Sequence, residues 1–301
     1  MPNSITDRIE LHDDDRVMET PQTRHRDYIL SDYQPRVDPA GRLHSSTALF
    51  SILRAIGWRE SIYPILARYR AMLGEDETVW GLKTDVNGNL GLELYFYNFD
   101  RNSPSNKKQV TTLRDEVRDI VDIKAEVDEA LSYFMCSVDL HPRMIEENFR
   151  PLFHVYMHGE RLRDGYDGIS YRVEQKDMIL ENYYTFYLAN EKRNEVWDRV
   201  QASIRSGDQE SQEKLFPHQL ARCHTICYAT KPRHDALYFA RISTQTLAQS
   251  IRKYFSSRVA DYFTEYQDLF AHLNWDVGYD FRLELGQREA KIEKFGFYGI
   301  L

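Results

Sequence analysis

Side chains that can bind an anion or shield a cation recur at alternate positions in several strand-like segments of this sequence. His154, Tyr156 and His158 share one parity in PLFHVYMHG. Lys294 and Tyr298 share one parity in the closing stretch KIEKFGFYGIL. Residues two or four apart in a strand lie on the same face of a sheet. Lysine, histidine and tyrosine donate to anionic oxygens, and aromatic faces attract positive charge. The spacing therefore indicates anion binding next to an aromatic surface.

The elements that would position these side chains are about five hairpins separated mostly by helices. Asn-Gly joins VWGLKTDV to LGLELYFYNF, and later strand pairs turn through QKDMILE, KPRH and GQRE. Apolar spacing predicts helices in SSTALFSILRAIGW, SIYPILARYRAML, EVWDRVQASIR and TQTLAQSIRKYF, and a longer helical stretch over residues 110–134. Hairpins in this order predict an α+β fold with roughly ten antiparallel strands in one sheet.

The sequence is compatible with two arrangements of that sheet. An open sheet with helices on one face would leave its polar and aromatic face in solvent. A barrel has no edges, and if helices covered its outside, the same face would line a polar, aromatic lumen filled with solvent. Composition alone does not separate the two.

Composition excludes several classes of protein. The chain has 301 residues, is 42% hydrophobic and carries a formal net charge of −8. The acidic balance argues against general nucleic-acid binding, which needs a concentrated basic surface. No apolar run has the length of a membrane helix, and the N-terminus lacks the apolar centre of a signal peptide. We expect a cytoplasmic, monomeric protein without membrane contact, in which the three cysteines are buried thiols.

Residues 1–42 are polar and rich in turns, which predicts a partly ordered N-terminal arm ahead of a single barrel domain over residues 43–301. HDDDR in this arm has the aspartate density of a magnesium motif. All-helical isoprenoid synthases bind magnesium with two such motifs that face each other across a helical bundle, whereas this sequence has one. A solvated acidic patch is the favoured interpretation.

Several segments resemble the αββα-barrel (ABBA) aromatic prenyltransferases, from about Ile62 to the C-terminus. LYFARISTQTL looks like a strand-to-helix joint of the bacterial small-molecule members, SYFMCSVDLHP with FRPLFHVYMHG like their second hairpin, and EKFGFYGIL like their last strand. ESIYPILARYRAML ahead of VWGLKTDV, ALYFARI and AKIEKFGFYGI are similar to the cyanobactin peptide prenyltransferases, the branch that we judge nearest. The resemblance implies a closed barrel ringed by helices and transfer of a prenyl group from an allylic diphosphate.

Prenyl transfer ionises the allylic diphosphate, so cationic and tyrosine donors must stabilise the leaving group and aromatic faces must keep the carbocation from water. Lys294 and Tyr298 match a lysine and a tyrosine that contact the diphosphate in the family, and Tyr228 matches a phosphate-binding tyrosine. The predicted diphosphate site is Lys294, Tyr298, Tyr228, Tyr238, Lys83 and His154. The predicted prenyl pocket is Tyr156, Tyr184, Phe186 and Trp80.

Two departures from the family pattern concern the metal and the base. The magnesium-binding aspartate of some small-molecule members falls at Tyr95, which implies diphosphate binding without a protein metal ligand. We expect no obligatory cofactor, with Mg²⁺ as an optional companion of the diphosphate. The glutamate that acts as base in the peptide and indole branches falls near Trp80. Candidate substitutes are Asp85, Glu93 and Glu174.

The acceptor is predicted from the way the chain ends. Small-molecule members continue into a helix beyond the last strand, whereas the peptide branch stops as this sequence does. A barrel mouth without that helix would admit a bulky acceptor. We therefore expect a Trp, Tyr, His or Arg side chain of a ribosomal, cyclic peptide. Prenylation of a small phenol, indole or phenazine is the alternative, followed by a non-catalytic barrel that binds an apolar ligand.

Overall fold

Ten antiparallel strands form one closed barrel in the computed structural model, in the order β1-β10-β9-β8-β7-β6-β5-β4-β3-β2. The structure describes residues 8–99, 107–143, 151–158 and 166–301, except the side chain of residue 166. The strands are β1 (Val79–Asp85), β2 (Leu90–Tyr97), β3 (Tyr133–Leu140), β4 (Leu152–His158), β5 (Tyr166–Glu174), β6 (Asp177–Leu188), β7 (Thr225–Thr230), β8 (Asp235–Ser243), β9 (Asn274–Arg282) and β10 (Lys291–Ile300). Each strand pairs with two neighbours, so the barrel has no free edge.

The outer face of the barrel is apolar and packs against helices. Trp80, Trp275 and Phe297 belong to one buried layer with Phe263 of a covering helix. The helices in the described residues are α1 (Ser45–Ala55), α2 (Arg59–Leu73), α3 (Val110–Glu116), α4 (Ala189–Ala202), α5 (Gln209–Leu215), α6 (Thr244–Tyr254) and α7 (Ser257–Glu265), with 3-10 turns at Asp13–Asp15 and Gln267–Phe270. The alternation in the strands thus places apolar residues under the helices and turns the other face inward.

The predicted strand pairs and the barrel closure are confirmed, because β1 pairs both with β2 and with the last strand, β10. The predicted turn through QKDMILE is wrong beyond its first two residues, since β6 begins at Asp177. The long helix predicted over residues 110–134 is wrong, since α3 ends at Glu116. Beyond it, Val121, Ile123 and Ala125 are buried while the residues between them are exposed. That period of two fits an extended segment and not a helix. The chain between β3 and β4, residues 144–150, and the predicted strand end at residue 159 lie outside the described residues.

The N-terminal arm packs on the barrel over its described part, residues 8–42. Asp15 of HDDDR is fully buried, and its carboxylate accepts hydrogen bonds from Arg54 Nε at 2.6 Å and Arg59 Nε at 2.9 Å. The expected solvated patch is therefore wrong for Asp15, although Asp13 and Asp14 are exposed. Pairing to two arginines offsets the desolvation of the buried carboxylate and ties the arm to α1 and α2.

The arm also covers one end of the barrel. Its residues 26–32 turn back on themselves, and the Tyr28 ring at the tip lies 4.9 Å from the Tyr298 ring and 5.1 Å from the Tyr95 ring. The backbone N–H of Tyr28 donates to Asp276 at 2.6 Å. We call this the arm end; β10 finishes here. The mouth that was expected to be open beside the chain terminus is thus covered by the arm, because Tyr28 inserts between the inward-facing tyrosines.

No helix in the described ranges combines the length and apolar character that crossing a membrane requires.

Candidate active site

Cationic side chains gather at the end of the barrel opposite the arm, which we call the cation end. Here β1 and β7 finish while β10 and β8 begin, so lysines from separate hairpins meet. Lys83 is largely buried, Lys294 is exposed at the mouth, and Lys231 follows β7. The cluster consists of Lys83, Lys231, Lys294, His154, Arg172 and His234.

Most members of this cluster are paired with carboxylates. Lys231 Nζ lies 2.8 Å and His234 Nε2 lies 3.1 Å from Asp280. Arg172 Nε and His154 Nε2 lie 2.9 Å and 3.1 Å from Glu181. The paired groups form a fixed rim of charge around the mouth, which is preorganised for a polyanion.

Lys294 differs from its neighbours in the cluster. No carboxylate of the described residues lies within ion-pair distance of its ammonium group. Its backbone pairs with Asp85 on one side and Asp280 on the other. Among the described residues, Lys294 is therefore a positive charge of the mouth without a carboxylate partner, which we call uncompensated, and it is the feature that most directly favours an anionic ligand.

Glu93 is the polar centre of the interior. Its carboxylate contacts the Lys83 ammonium group and accepts a hydrogen bond from the Ser137 hydroxyl. Tyr95 Oη donates to it at 2.7 Å, and Tyr156 Oη lies 3.4 Å away. Only 2% of Glu93 is exposed, so this group is a buried carboxylate with its partners already in place.

Despite its contact with Glu93, Lys83 changes its charge near neutral pH. Burial and the repulsion from Lys294 lower the pKa of Lys83 to about 7. The pKa of the Asp280 carboxyl is also lowered: burial opposes the change, but Lys231 and His234 stabilise the charged carboxylate. An anion that bound beside Lys83 would favour its protonated form and so gain a full charge interaction near neutral pH.

Tyrosine rings line the middle of the barrel above this cluster. The rings of Tyr156 and Tyr184 are 6.1 Å apart, those of Tyr184 and Tyr238 are 6.4 Å apart, and those of Tyr238 and Tyr298 are 6.5 Å apart. With Tyr95 they form a continuous aromatic wall. At the level of Tyr28 the interior is occupied by rings.

Glycines on neighbouring strands make room for these rings. A Cβ atom on Gly278 would lie 2.2 Å from the Tyr238 ring, and one on Gly81 would lie 2.6 Å from the Tyr298 ring. Each glycine is the direct cross-strand partner of the tyrosine that covers it. The rings therefore lie flat along the wall and present their faces to the interior.

The same rings already hold cations. Lys83 Nζ lies 5.4 Å from the centre of the Tyr95 ring, and Lys231 Nζ lies 5.8 Å from that of Tyr238. Burial raises the pKa of Tyr95, Tyr156 and Tyr238 well above the ordinary value, so their hydroxyls stay protonated and can donate. The wall can thus stabilise positive charge with its faces and negative charge with its hydroxyls.

Most of the predicted site residues meet in this interior. The strand parity puts there Lys83, Glu93, His154, Tyr156, Tyr184, Phe186, Tyr238, Lys294 and Tyr298. Gly296 lies between the last pair, and a Cβ there would be 3.2 Å from both Lys83 Cγ and Tyr298 Oη. Their roles in binding a diphosphate or a prenyl group stay predictions.

Two predicted site residues lie on the outer face and do not join the others in the interior. Tyr228 packs in the layer beneath the helices, and its hydroxyl donates to Asp235 at 2.7 Å. It follows Cys227, which pairs with the inward-facing Tyr238, so its own parity is outward. Trp80 packs against Trp275 in the same outer layer and donates to the Ile300 carbonyl at 3.0 Å.

Two of the three candidate bases lie at the rim of the barrel. Asp85 accepts hydrogen bonds from the backbone N–H groups of Asn87 and Asn89, at 2.8 Å and 3.0 Å, and so holds the β1–β2 turn. Glu174 is exposed at the end of β5, where it pairs with Arg172. Neither carboxylate faces the tyrosine wall, which leaves Glu93 as the candidate base of the three.

Sequence reasoning missed several interior groups. Asp276 and Asp280 alternate with buried apolar residues in WDVGYDF, so their inward parity was visible in the sequence. Lys231 stands in a turn and Tyr28 in the arm, where no strand parity applies. Other interior groups that were missed are Asp139, Arg172, Glu181 and His234.

Glu93, Asp139 and His154 place ligand atoms within 4.8 Å of one another. Glu93 already has Lys83 as its counter-ion. Mg²⁺ favours oxygen ligands and keeps several of its waters, so a diphosphate would supply most of its coordination here. Mg²⁺ at this end stays a prediction.

No family model and no curated protein matches this chain. Solved structures are similar to it. 5-Dimethylallyltryptophan synthase from Streptomyces coelicolor is 10% identical, with a TM-score of 0.47 over 80% of this chain and 91% of that one. NotF prenyltransferase is 9% identical, with a TM-score of 0.50 over 84% of this chain and 91% of that one. The chain therefore shares the fold of NotF prenyltransferase, and in this chain that fold is a closed barrel of ten antiparallel strands.

Proposed function

We propose that this protein is a prenyltransferase that moves a dimethylallyl- or geranyl-type group from an allylic diphosphate to a nucleophilic acceptor. One observation carries the proposal: a tyrosine-lined barrel interior ends at a cluster of cations that includes the uncompensated Lys294. An apolar ligand alone would not need that charge. NotF, whose fold the chain shares, is itself a prenyltransferase.

The arrangement fits the charges that develop in this reaction. The allylic C–O bond breaks and the diphosphate leaves with the electron pair, so Lys83, Lys294 and Lys231 meet a growing negative charge. The allylic carbon becomes electron-poor next to Tyr238 and Tyr298, whose faces attract it and keep water away. An electron pair of the acceptor then forms the new bond to that carbon.

Glu93 takes the proton that the acceptor loses. It lies between the cation cluster and the tyrosine wall, within reach of an acceptor seated against Tyr95 and Tyr156. Proton transfer to a positioned carboxylate completes the substitution and regenerates the acceptor's neutral form. Lys83 is its counter-ion before the diphosphate arrives.

For the acceptor we propose a Trp, Tyr, His or Arg side chain of a ribosomal, cyclic peptide. A groove of about 570 Å³ at the arm end supports an acceptor as large as a peptide, because the groove lies outside the barrel interior and could hold the part of the peptide that does not enter it. Its lining residues include Tyr33, Arg36, Arg222, His224 and Arg241. A small phenol, indole or phenazine is the alternative, since it would need the interior alone.

An activity assay tests the proposal directly. The protein is incubated with dimethylallyl or geranyl diphosphate, with and without Mg²⁺, and with small aromatics or peptides that contain Trp, Tyr, His or Arg. Mass spectrometry then looks for the mass of one prenyl group on the acceptor. We expect product from at least one pairing. No alkylated acceptor from any pairing, together with no binding of pyrophosphate, would overturn the proposal.

Tyr28 distinguishes the two acceptor classes. Tyr28→Ala removes the ring that covers the arm end, so we expect peptide turnover to rise severalfold while turnover of small aromatics does not. The matched control is Ile29→Ala, since this neighbouring tip residue is 40% exposed. Initial rates on both acceptor sets are compared. If the unaltered chain and Tyr28→Ala both prenylated small aromatics and no peptide, the acceptor would be a small aromatic compound.

Lys83 predicts a pH dependence of diphosphate binding. In the free protein its pKa of about 7 means that the ammonium form prevails below this pH and is lost above it. Raising the pH from 6 to 8 should therefore weaken pyrophosphate binding by about tenfold more than in Lys83→Arg, which keeps its charge. Binding constants are measured by calorimetric titration of both proteins. The ionisation of pyrophosphate affects both equally, so the difference between their pH slopes reports Lys83 alone. Equal pH slopes would contradict the role of Lys83.

A further inference from the structure

A second cluster of ligand-type side chains lies away from the barrel interior, where the arm crosses the chain just ahead of β9. Glu19 and His25 come from the arm and His272 from the barrel domain. One ligand atom of each lies within 4.8 Å of the others. His272 Nε2 lies 2.8 Å from Glu19 Oε1, and the rings of His25 and His272 are 5.6 Å apart in an edge-to-face arrangement.

Buried atoms of this cluster lack partners. Glu19 Oε2 and His272 Nδ1 are both inaccessible and make no hydrogen bond in the structure. The side chains are 1% and 0% exposed, respectively. A Glu–His hydrogen bond by itself would leave these two atoms unsatisfied, and buried polar atoms without partners are uncommon in folded proteins.

The charge and the donors fit a metal cation. No lysine or arginine of the described residues forms an ion pair with Glu19, whose one such partner there is His272. Burial is the main cause that lowers the pKa of His25, which favours the neutral imidazole that metals bind. Two imidazoles and one carboxylate suit Zn²⁺, whereas Mg²⁺ and Ca²⁺ prefer oxygen ligands alone.

We propose that Glu19, His25 and His272 bind one Zn²⁺ ion that fastens the arm to the barrel. Ligands at about 2.1 Å from a tetrahedral ion lie about 3.4 Å apart, so small rotations of these side chains close the site. Water takes the fourth position. Because Glu19 and His25 precede Tyr28 by nine and three residues in the same arm, the ion stabilises the arm in the position that covers the barrel end.

The test uses the whole chain with ZnCl2 alone and has three readouts. Calorimetry on metal-stripped protein should give one Zn²⁺ per chain, Co²⁺ should give the visible absorption of a tetrahedral ion, and Zn²⁺ should raise the Tm. His25→Ala and His272→Gln should each weaken Zn²⁺ binding at least tenfold. His25→Ala keeps the test valid if His272→Gln fails to fold, since His25 is only half-buried.

His218→Ala is the matched control, because this exposed imidazole represents adventitious metal binding. We expect it to bind Zn²⁺ as the unaltered chain does. A folded unaltered chain that takes up no Zn²⁺, or Zn²⁺ binding that persists in both His25→Ala and His272→Gln, would overturn the proposal. Neither outcome depends on prenyl transfer, so the two proposals fail separately.

Discussion

Lys294→Ala should lower kcat/KM for the prenyl diphosphate by about 100-fold. Removal of one preorganised donor to a developing negative charge typically costs 10²–10³ in rate, and the exposure of Lys294 favours the lower end. The loss should appear as weaker pyrophosphate binding as well as slower turnover. Steady-state kinetics and calorimetry on the same preparation measure both quantities.

Lys291→Ala is the control for this change. Lys291 begins the same strand, is exposed and pairs with Glu284 outside the barrel, so its removal should leave turnover within about twofold. Lys294→Ala should also move the pH midpoint of pyrophosphate binding upward, because Lys294 repels the ammonium group of Lys83. Equal kinetics for the two alanine variants would remove Lys294 from the diphosphate site.

Glu93→Gln should reduce prenyl transfer by about 10²–10⁴-fold, the range expected when a positioned general base is lost. The amide cannot take the acceptor's proton, although it can still accept hydrogen bonds from Ser137 and Tyr95. Ionisation of the diphosphate should continue, so prenyl alcohol formed by water should rise relative to the alkylated acceptor. Product analysis by chromatography gives this ratio.

Glu174→Gln serves as the matched change at the rim, where the carboxylate is exposed, and it should alter transfer little. Binding of pyrophosphate separates two roles of Glu93. If Glu93→Gln transfers the prenyl group normally but binds pyrophosphate differently, Glu93 acts only as the counter-ion of Lys83 and the base lies elsewhere. If Glu93→Gln still binds pyrophosphate but no longer transfers the prenyl group, the result supports Glu93 as the base.

The two large effects come from opposite sides of one contact. Lys83 joins Glu93 to the cation cluster, so the charge that we propose binds the leaving group and the carboxylate that we propose takes the proton are coupled. If diphosphate drew Lys83 toward itself, Glu93 would lose its counter-ion and become available to the acceptor. Donor binding would in this way prepare the base.

The strand pattern was readable in the sequence because it is local. Alternation in KIEKFGFYGIL placed Lys294, Gly296 and Tyr298 on the inner face, and Asn-Gly fixed the β1–β2 turn, whose residues lie next to each other in the chain. Where alternation was misjudged, a shift by one residue reversed the face, as it did for Tyr228. The extended segment after α3 was missed because its charged residues also fit a helix.

Three properties depended on contacts between distant parts of the chain. Whether the inward face was a lumen or open surface was decided by β10 closing on β1, more than 200 residues away in sequence. The pairing of Lys231 with Asp280 and the burial of Asp15 against Arg54 join segments that no local pattern connects. The chain itself determined which side chains share a face, because that follows from backbone geometry. Only the tertiary structure decided which faces meet, that Tyr28 covers one end and that Lys294 has no carboxylate partner among the described residues at the other, because the distances and burial that set those interaction energies arise only in the fold.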